Sequence, residues 1–224
     1  MEFLSASWWS ALAAIVVIDL VLAGDNAIVI ALAARKLPAH LRGRAIVWGT
    51  VGAILARVLM TLGVVWLLRI PGLLLLGGLA LLWIAYRLLA DTDTRPGTAA
   101  GTPTFWGAMK TIVVADALMG IDNVLGVAGA AHGEFGLVAT GLALSVPIVV
   151  AGSTLVLRLI ERFAFVLHLG AAVLAYTAAA MIVHEPLLHV LFAERVWAWL
   201  ACAAAVAGVL AAGEWRRRGA MLRR

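Results

Sequence analysis

Apolar runs of about 20 residues, the length that crosses a bilayer as a helix, follow one another along almost the whole chain. Seven can be laid out: Trp8–Ala34, Ala45–Leu68, Pro71–Ala90, Trp106–Ala131, Leu137–Leu157, Phe163–Val183 and Val196–Ala212. The chain is 64% hydrophobic and 13% charged, with a mean hydropathy of +1.06. Soluble domains are nearer one quarter charged. The expected fold is therefore all-α: a polytopic membrane protein with seven transmembrane helices in a single domain over 1–224. Pro71 suits a first helical turn, where its missing N–H costs nothing. The start, MEFLSAS, lacks the basic n-region of a cleaved signal peptide, so the first run is expected to stay as a helix.

The formal charge of +5 does not point to nucleic acid, because the basic residues cluster at the ends of apolar runs, where lipid headgroups and topology account for them. Arg35, Lys36, Arg42 and Arg44 follow the first span, Arg158 and Arg162 the fifth, and Arg216, Arg217, Arg218, Arg223 and Arg224 end the chain. Placing all three groups in the cytoplasm gives seven spans with the N-terminus outside and the C-terminus inside. Short loops without a targeting segment suit a bacterial inner membrane. The stretch DTDTRPGTAAGTP, 91–103, lies in a cytoplasmic linker over 91–105 and reads as a mobile loop. The single cysteine, Cys202, excludes an intrachain disulfide framework and a thiolate metal site.

An internal repeat organises the spans. VVIDLVLAGDNAIVIA, 16–31, and VVADALMGIDNVLGVA, 113–128, share V-V-x-D-x5-D-N at an offset of 97. Asp19 matches Asp116, Asp25 matches Asp122 and Asn26 matches Asn123. A weaker echo joins GGLALLWIAY, 77–86, to LGAAVLAY, 169–176. Residues 8–90 and 106–183 thus read as two three-span copies, and 196–212 as an extra helix. Three is odd, so the copies enter the membrane in opposite senses, an inverted repeat typical of secondary transporters.

Of six aspartates, Asp19, Asp25, Asp116 and Asp122 fall in apolar spans. Each charge at the bilayer centre costs roughly 2.5–3.5 kcal/mol on insertion scales, and intramembrane ionisable groups mark function by default. Protonation, cationic partners or a bound ion must offset that cost. Cations are scarce. Arg57 lies inside span two and is either a charge partner or a snorkelled side chain, while Lys110 and Arg87 sit near span ends and can snorkel. Pairing covers one or two carboxylates, which leaves an ion site as the expected role of the quartet. Asp19 and Asn26 share a helix face, whereas Asp25 lies about 120° round and about 9 Å further along the axis. Gly24 and Gly120 allow the backbone to unwind, so distortions are expected near 23–25 and 120–122; without them the carboxylates form two stacked sites. The candidate metal ligands are Asp19, Asp25, Asn26, Asp116, Asp122 and Asn123. Such hard oxygens suit Mg²⁺, Mn²⁺ or Ca²⁺, with protons as the coupling ion because metal and proton compete for the same carboxylates. Thr50 and Ser153 are secondary candidates. Ser145 and Ser153 flank Pro147, which should kink span five, but helix packing is the commoner role for small residues there.

At these residues the chain resembles the TerC family of integral membrane proteins, named for tellurium resistance. The resemblance is carried by DLVLAGDNAIVIALAARKLP, 19–38, LLGGLALLWIAYRLL, 75–89, and DALMGIDNVLGVAG, 116–129. It implies seven spans and Mn²⁺ efflux through the six residues named above; Asn123 stands where some members carry serine.

Other features fit plainer readings. HEPLLH, 184–189, lacks the spacing of a zinc hydrolase motif, with its second histidine at i+5 and Pro186 between, and is expected to be an exterior loop. His168 reads as packing or interfacial, as do Tyr86 and Tyr176. Two other function classes stand beside the exporter. One is a metal-binding membrane scaffold that transports nothing and serves metal or tellurite stress, although its short loops offer little docking surface. The other, less favoured, is an intramembrane aspartyl protease, whose usual Y-D and G-x-G-D contexts are replaced here by A-G-D-N and G-I-D-N. The chain is read as no enzyme, with no tightly bound cofactor, with lipid and a divalent cation as partners, no nucleic acid, and a homo-oligomeric state left open.

Overall fold

The computed structural model describes residues 5–63, 70–90, 104–130 and 134–222. Among these, seven α-helices carry the fold: α1 (Ala6–Arg35), α2 (Ala39–Leu62), α3 (Leu73–Ala90), α4 (Phe105–Ala130), α5 (Phe135–Arg162), α6 (Ala164–Val183) and α7 (Arg195–Leu222), with one 3-10 turn at Pro186–Leu188. No strand occurs among the described residues. Each expected span falls on one of these helices. The linker 91–103 lies outside the described residues.

Five stretches are long and apolar enough to cross a membrane: Ala39–Leu62, Leu73–Ala90, Gly136–Arg162, Phe165–Val183 and Arg195–Arg216. A sixth is α1, if its halves Ala6–Asp19 and Gly24–Arg35, bent by 50° to one another, form one span. The helix carrying Lys110, Asp116 and Asp122, α4, is not among them. The bend in α1 falls just before Gly24, close to the expected distortion, but the backbone stays helical through it. In α4 the helix runs unbroken through 120–122, so the second expected distortion does not occur.

Local chemistry sets the ends. The Ser5 side chain caps α1 by accepting from the Trp8 N–H at 3.2 Å. Pro38 cannot continue a helix; the chain turns there, and the Arg42 Nε–H donates to the Leu37 carbonyl at 2.8 Å across the corner. Gly72, at φ +81°, makes the turn into α3 in a conformation only glycine adopts readily. A single extended residue, Phe163, separates α5 from α6.

The two helices that bear the D-x5-D-N motif pack together at the centre, α1 also against α5 and α4 also against α2. On one flank α3 packs on α6, and α7 lies over both. Glycines permit the closest approaches: a Cβ on Gly78 would lie 2.6 Å from the Ala178 carbonyl oxygen. The main core runs through Ile30, Leu32, Leu81, Leu89, Ile112 and Leu174. Leu55, Leu59, Leu76, Trp83, Leu155 and Leu169 face outward, an apolar exterior that requires lipid rather than water around it.

Candidate cation site

Asp19 on α1, Arg57 on α2 and Asp116 on α4 meet in the interior, 2%, 3% and 6% exposed. The Arg57 guanidinium lies between the two carboxylates. Its Nη1 donates to Asp19 Oδ1 and its Nη2 donates to Asp116 Oδ1 at 2.6 Å. A planar fork with fixed donors suits this double engagement better than an ammonium would. Gly120 lies beside it: a Cβ there would stand 3.6 Å from Arg57 Nε, an ordinary contact, and 3.1 Å from Met60 Cε, a tight one. Arg57 is thus a charge partner, not a snorkelled side chain, and it serves two of the four intramembrane aspartates at once.

Beside the triad lies a small cavity, with space of the order of one water molecule, lined also by Asn26, Thr50 and Val149. Four buried polar atoms at this place have no hydrogen-bond partner among the described residues: Asn26 Oδ1, Thr50 Oγ1, Asp116 Oδ2 and Arg57 Nε. Buried polar groups normally find partners. Three of the four are oxygens, and with both carboxylates ionised the triad carries one net negative charge. The arrangement can therefore accept a small hard cation or a proton.

The other candidates divide. Asp25 is not a member of the triad: it accepts at Oδ1 from the Asn26 N–H at 2.9 Å and at Oδ2 from Thr177 Oγ1 of α6 at 3.4 Å. Asp19 and Asp25 thus take different partners on different helices. The side chains of Asp122 and Asn123 lie outside the described residues. Among the described residues no group of three or more His, Cys, Asp or Glu stands ready for a metal, so any coordination drawn from this cavity leans on Asn26 and Thr50. Ser145 and Ser153 spend their hydroxyls on the Leu142 and Val149 carbonyls of their own helix, and Gly24 faces open space. Tyr86 OH accepts from Arg216 at 3.2 Å, and His168 lies 3.4 Å from Glu214.

Sequence reasoning passed over Glu185. The loop that holds it is outside the helices as expected, but the side chain is 2% exposed. Its Oε1 accepts from the Gly72 N–H at 3.0 Å and its Oε2 from the Leu75 N–H at 3.2 Å, which ties the loop after α6 to the start of α3. Burial pushes this carboxyl up, but the N–H groups of Gly72, Leu75, Leu187 and Leu74 outweigh burial and hold it below the usual glutamate value. The only sequence signal was a glutamate just before Pro186, the order of a capped helical start.

Long apolar helices packed around a buried carboxylate–guanidinium triad define a multi-pass integral membrane protein. Residues 4–220 match the family described as Integral membrane protein TerC family. The chain belongs to that family. It is 44% identical over 181 residues to the uncharacterized membrane protein YjbE of Bacillus subtilis, covering 81% of this chain and 83% of that one. It is 25% identical over 199 residues to the UPF0053 inner membrane protein YgdQ of Escherichia coli, covering 81% and 84%. It is 33% identical over 149 residues to the UPF0053 protein YegH of Escherichia coli, covering 58% of this chain but only 28% of that longer protein. No solved structure matches the chain.

Proposed function

We propose that the protein is a transporter that exports a divalent cation, Mn²⁺ in the first place, by alternating access and in exchange for protons. It works in a bacterial inner membrane with the N-terminus outside, catalyses no covalent reaction and holds no resident cofactor. One observation carries the reading: the repeat-related Asp19 and Asp116 meet at one buried point beside oxygens of Asn26 and Thr50 that have no partner among the described residues. Intramembrane acids grouped around a cavity are the mark of an ion pathway.

The packing supports an inverted repeat. Ile15 of α1 sits on Gly141 of α5, while its repeat equivalent Ile112 of α4 sits on Gly49 of α2. The α1–α5 and α4–α2 contacts are therefore counterparts, as a twofold axis in the membrane plane would make them. On this reading each three-helix half supplies one carboxylate, and rocking of the halves opens the cavity to either side in turn. Asp19 and Asp116 hold the cation or a proton, and Asn26 and Thr50 add neutral oxygens. The guanidinium between the carboxylates speaks against protease chemistry, which needs two carboxylates close enough to share a proton.

Flux through liposomes containing only this protein tests the proposal, with Mn²⁺, Mg²⁺ and Ca²⁺ offered separately, with and without a pH gradient. Mn²⁺ flux driven by the gradient is expected, falling at least about tenfold in Asp19→Asn and Asp116→Asn variants that keep a cooperative thermal transition. Metal binding without flux would leave a scaffold, and flux untouched by both substitutions would remove these aspartates from the pathway.

A further inference from the structure

We infer that Arg57 is a tethered stand-in for the cargo: its guanidinium fills the two carboxylates while no cation is bound and competes with the cation for them. The inference rests on the transport reading above and adds a role for the one group of opposite charge in the site. Arg57 is the only buried basic side chain among the described residues. It takes one oxygen from each repeat-related aspartate, the two groups a divalent cation would most need. A guanidinium does not lose its proton in a protein. A cation that takes both carboxylates therefore meets a fixed like charge in a water-poor site, and the guanidinium must withdraw for the cation to settle.

Two further observations fit a competitor better than a permanent brace. A buried ion pair that only stabilises normally has its remaining donors and lone pairs satisfied; here Arg57 Nε, Asp116 Oδ2, Asn26 Oδ1 and Thr50 Oγ1 have no partner among the described residues. Finally, the site is symmetric in its acids and asymmetric in its base. The offset from Gly49 to Gly141 makes Val149 the counterpart of Arg57, and Val149 lines the same cavity with an apolar side chain. Among the described residues only one half carries the competing charge. Its return to the carboxylates expels cargo, which gives the transport cycle a release step that two bare carboxylates would lack.

The test is equilibrium Mn²⁺ binding and Mn²⁺ flux on full-length protein in lipid, comparing wild type with Arg57→Gln and Arg57→Lys. Removing the competitor is expected to tighten binding about tenfold in Arg57→Gln, in the range of ordinary site-to-site coupling. KM and kcat for flux should fall together, because cargo binds better and leaves more slowly. Arg57→Lys keeps the charge but loses the fork, and a smaller tightening is expected, about threefold. Wild-type binding with affinity unchanged or weakened in both variants overturns the inference alone. If Arg57→Gln yields no folded protein, Arg57→Lys decides by the same criterion. A wild-type protein that binds none of Mn²⁺, Mg²⁺ and Ca²⁺ overturns the transport reading, and this inference with it.

Discussion

Removing one member of a buried charged set strands the rest, and the triad of Asp19, Arg57 and Asp116 is such a set. Arg57→Ala leaves two carboxylates buried without their donor and is expected to cost about 3–5 kcal/mol. Thermal or denaturant unfolding in lipid would read this loss, and adding Asp19→Asn with Asp116→Asn to the same chain should recover most of it. A marginal effect of Arg57→Ala would mean that the carboxylates are not ionised in the resting protein. Glu185 makes a different kind of contribution, because it satisfies N–H groups at the start of α3 that no helical carbonyl can reach. Glu185→Gln keeps the shape but loses the charge, and a cost of about 1–2 kcal/mol is expected, the size of a helix cap. Its carboxyl titrates lower in the folded protein than in the unfolded chain, where the ordinary value is 4.5. Its stabilisation is therefore full above that ordinary value and is lost as pH falls through the lower, folded one. Wild type should lose stability over that acid window and Glu185→Gln should not; parallel pH profiles would dismiss the effect. Arg57 was legible as an anomaly, one arginine inside an apolar span. Glu185 was not, because its partners Gly72 and Leu75 lie 113 and 110 positions upstream, and nothing local to a loop glutamate reports a distant helix start.

Between helices, glycine decides how closely backbones approach, and the same substitution should have opposite signs at two sites. At Gly78 a Cβ would press on the Ala178 carbonyl oxygen and on Ile182 Cγ1, each at 2.6 Å. The first is backbone and cannot step aside, so Gly78→Ala should part α3 from α6 and cost about 1–3 kcal/mol. At Gly24 no atom of the described residues lies within 4 Å, and Gly24→Ala should stabilise by up to about 1 kcal/mol through helix propensity alone. Thermal unfolding of both variants in one lipid checks the pair; equal effects would show that close approach is not what Gly78 provides. Hydropathy located the helices because lipid demands an unbroken apolar run, but it misjudged their ends. The helix over Ala39–Leu62 starts six residues before the expected Ala45, and Phe135–Arg162 outruns the expected Leu137–Leu157 at both ends. Arg42, Arg44, Arg158 and Arg162 ride on these extensions. Hydropathy marks where lipid begins, whereas the helix continues through the headgroup layer because its backbone still needs internal hydrogen bonds. The unbroken helix at 120–122 carries a related lesson: Gly120 does not loosen the backbone there.

Across the whole molecule, contacts between distant segments sort the helix ends into two groups. At one end Arg42 pairs with Glu161, Lys36 Nζ donates to the Arg87 carbonyl, and Arg216 donates to Tyr86. Leu37, Ala45 and Ala108 pack together there as well. At the other end Glu185 holds Gly72, and Trp8 and Ile15 pack with Val127 and Leu137. Following the chain from α1 to α7, successive helices run between these two groups in alternating directions; five of them, or six with the bent α1, are long and apolar enough to cross a membrane. The first end gathers the basic residues, and the proposed orientation puts it in the cytoplasm, as the positive-inside rule expects. His40, exposed at the start of α2, marks that end, and Val190, 87% exposed after α6, marks the opposite one. In a Cys202→Ala background, Val190→Cys should react with a membrane-impermeant maleimide on intact bacterial cells, and His40→Cys only after the cells are permeabilised. The reverse pattern would keep the alternation and invert the orientation, turning an exporter's cytoplasmic mouth to the outside. Labelling of both positions from the same side would be graver: α2 through α6 would then cross the bilayer an even number of times, Asp19 and Asp116 could not belong to oppositely inserted halves, and the shared guanidinium would be an accident of packing instead of the meeting point of a duplicated unit.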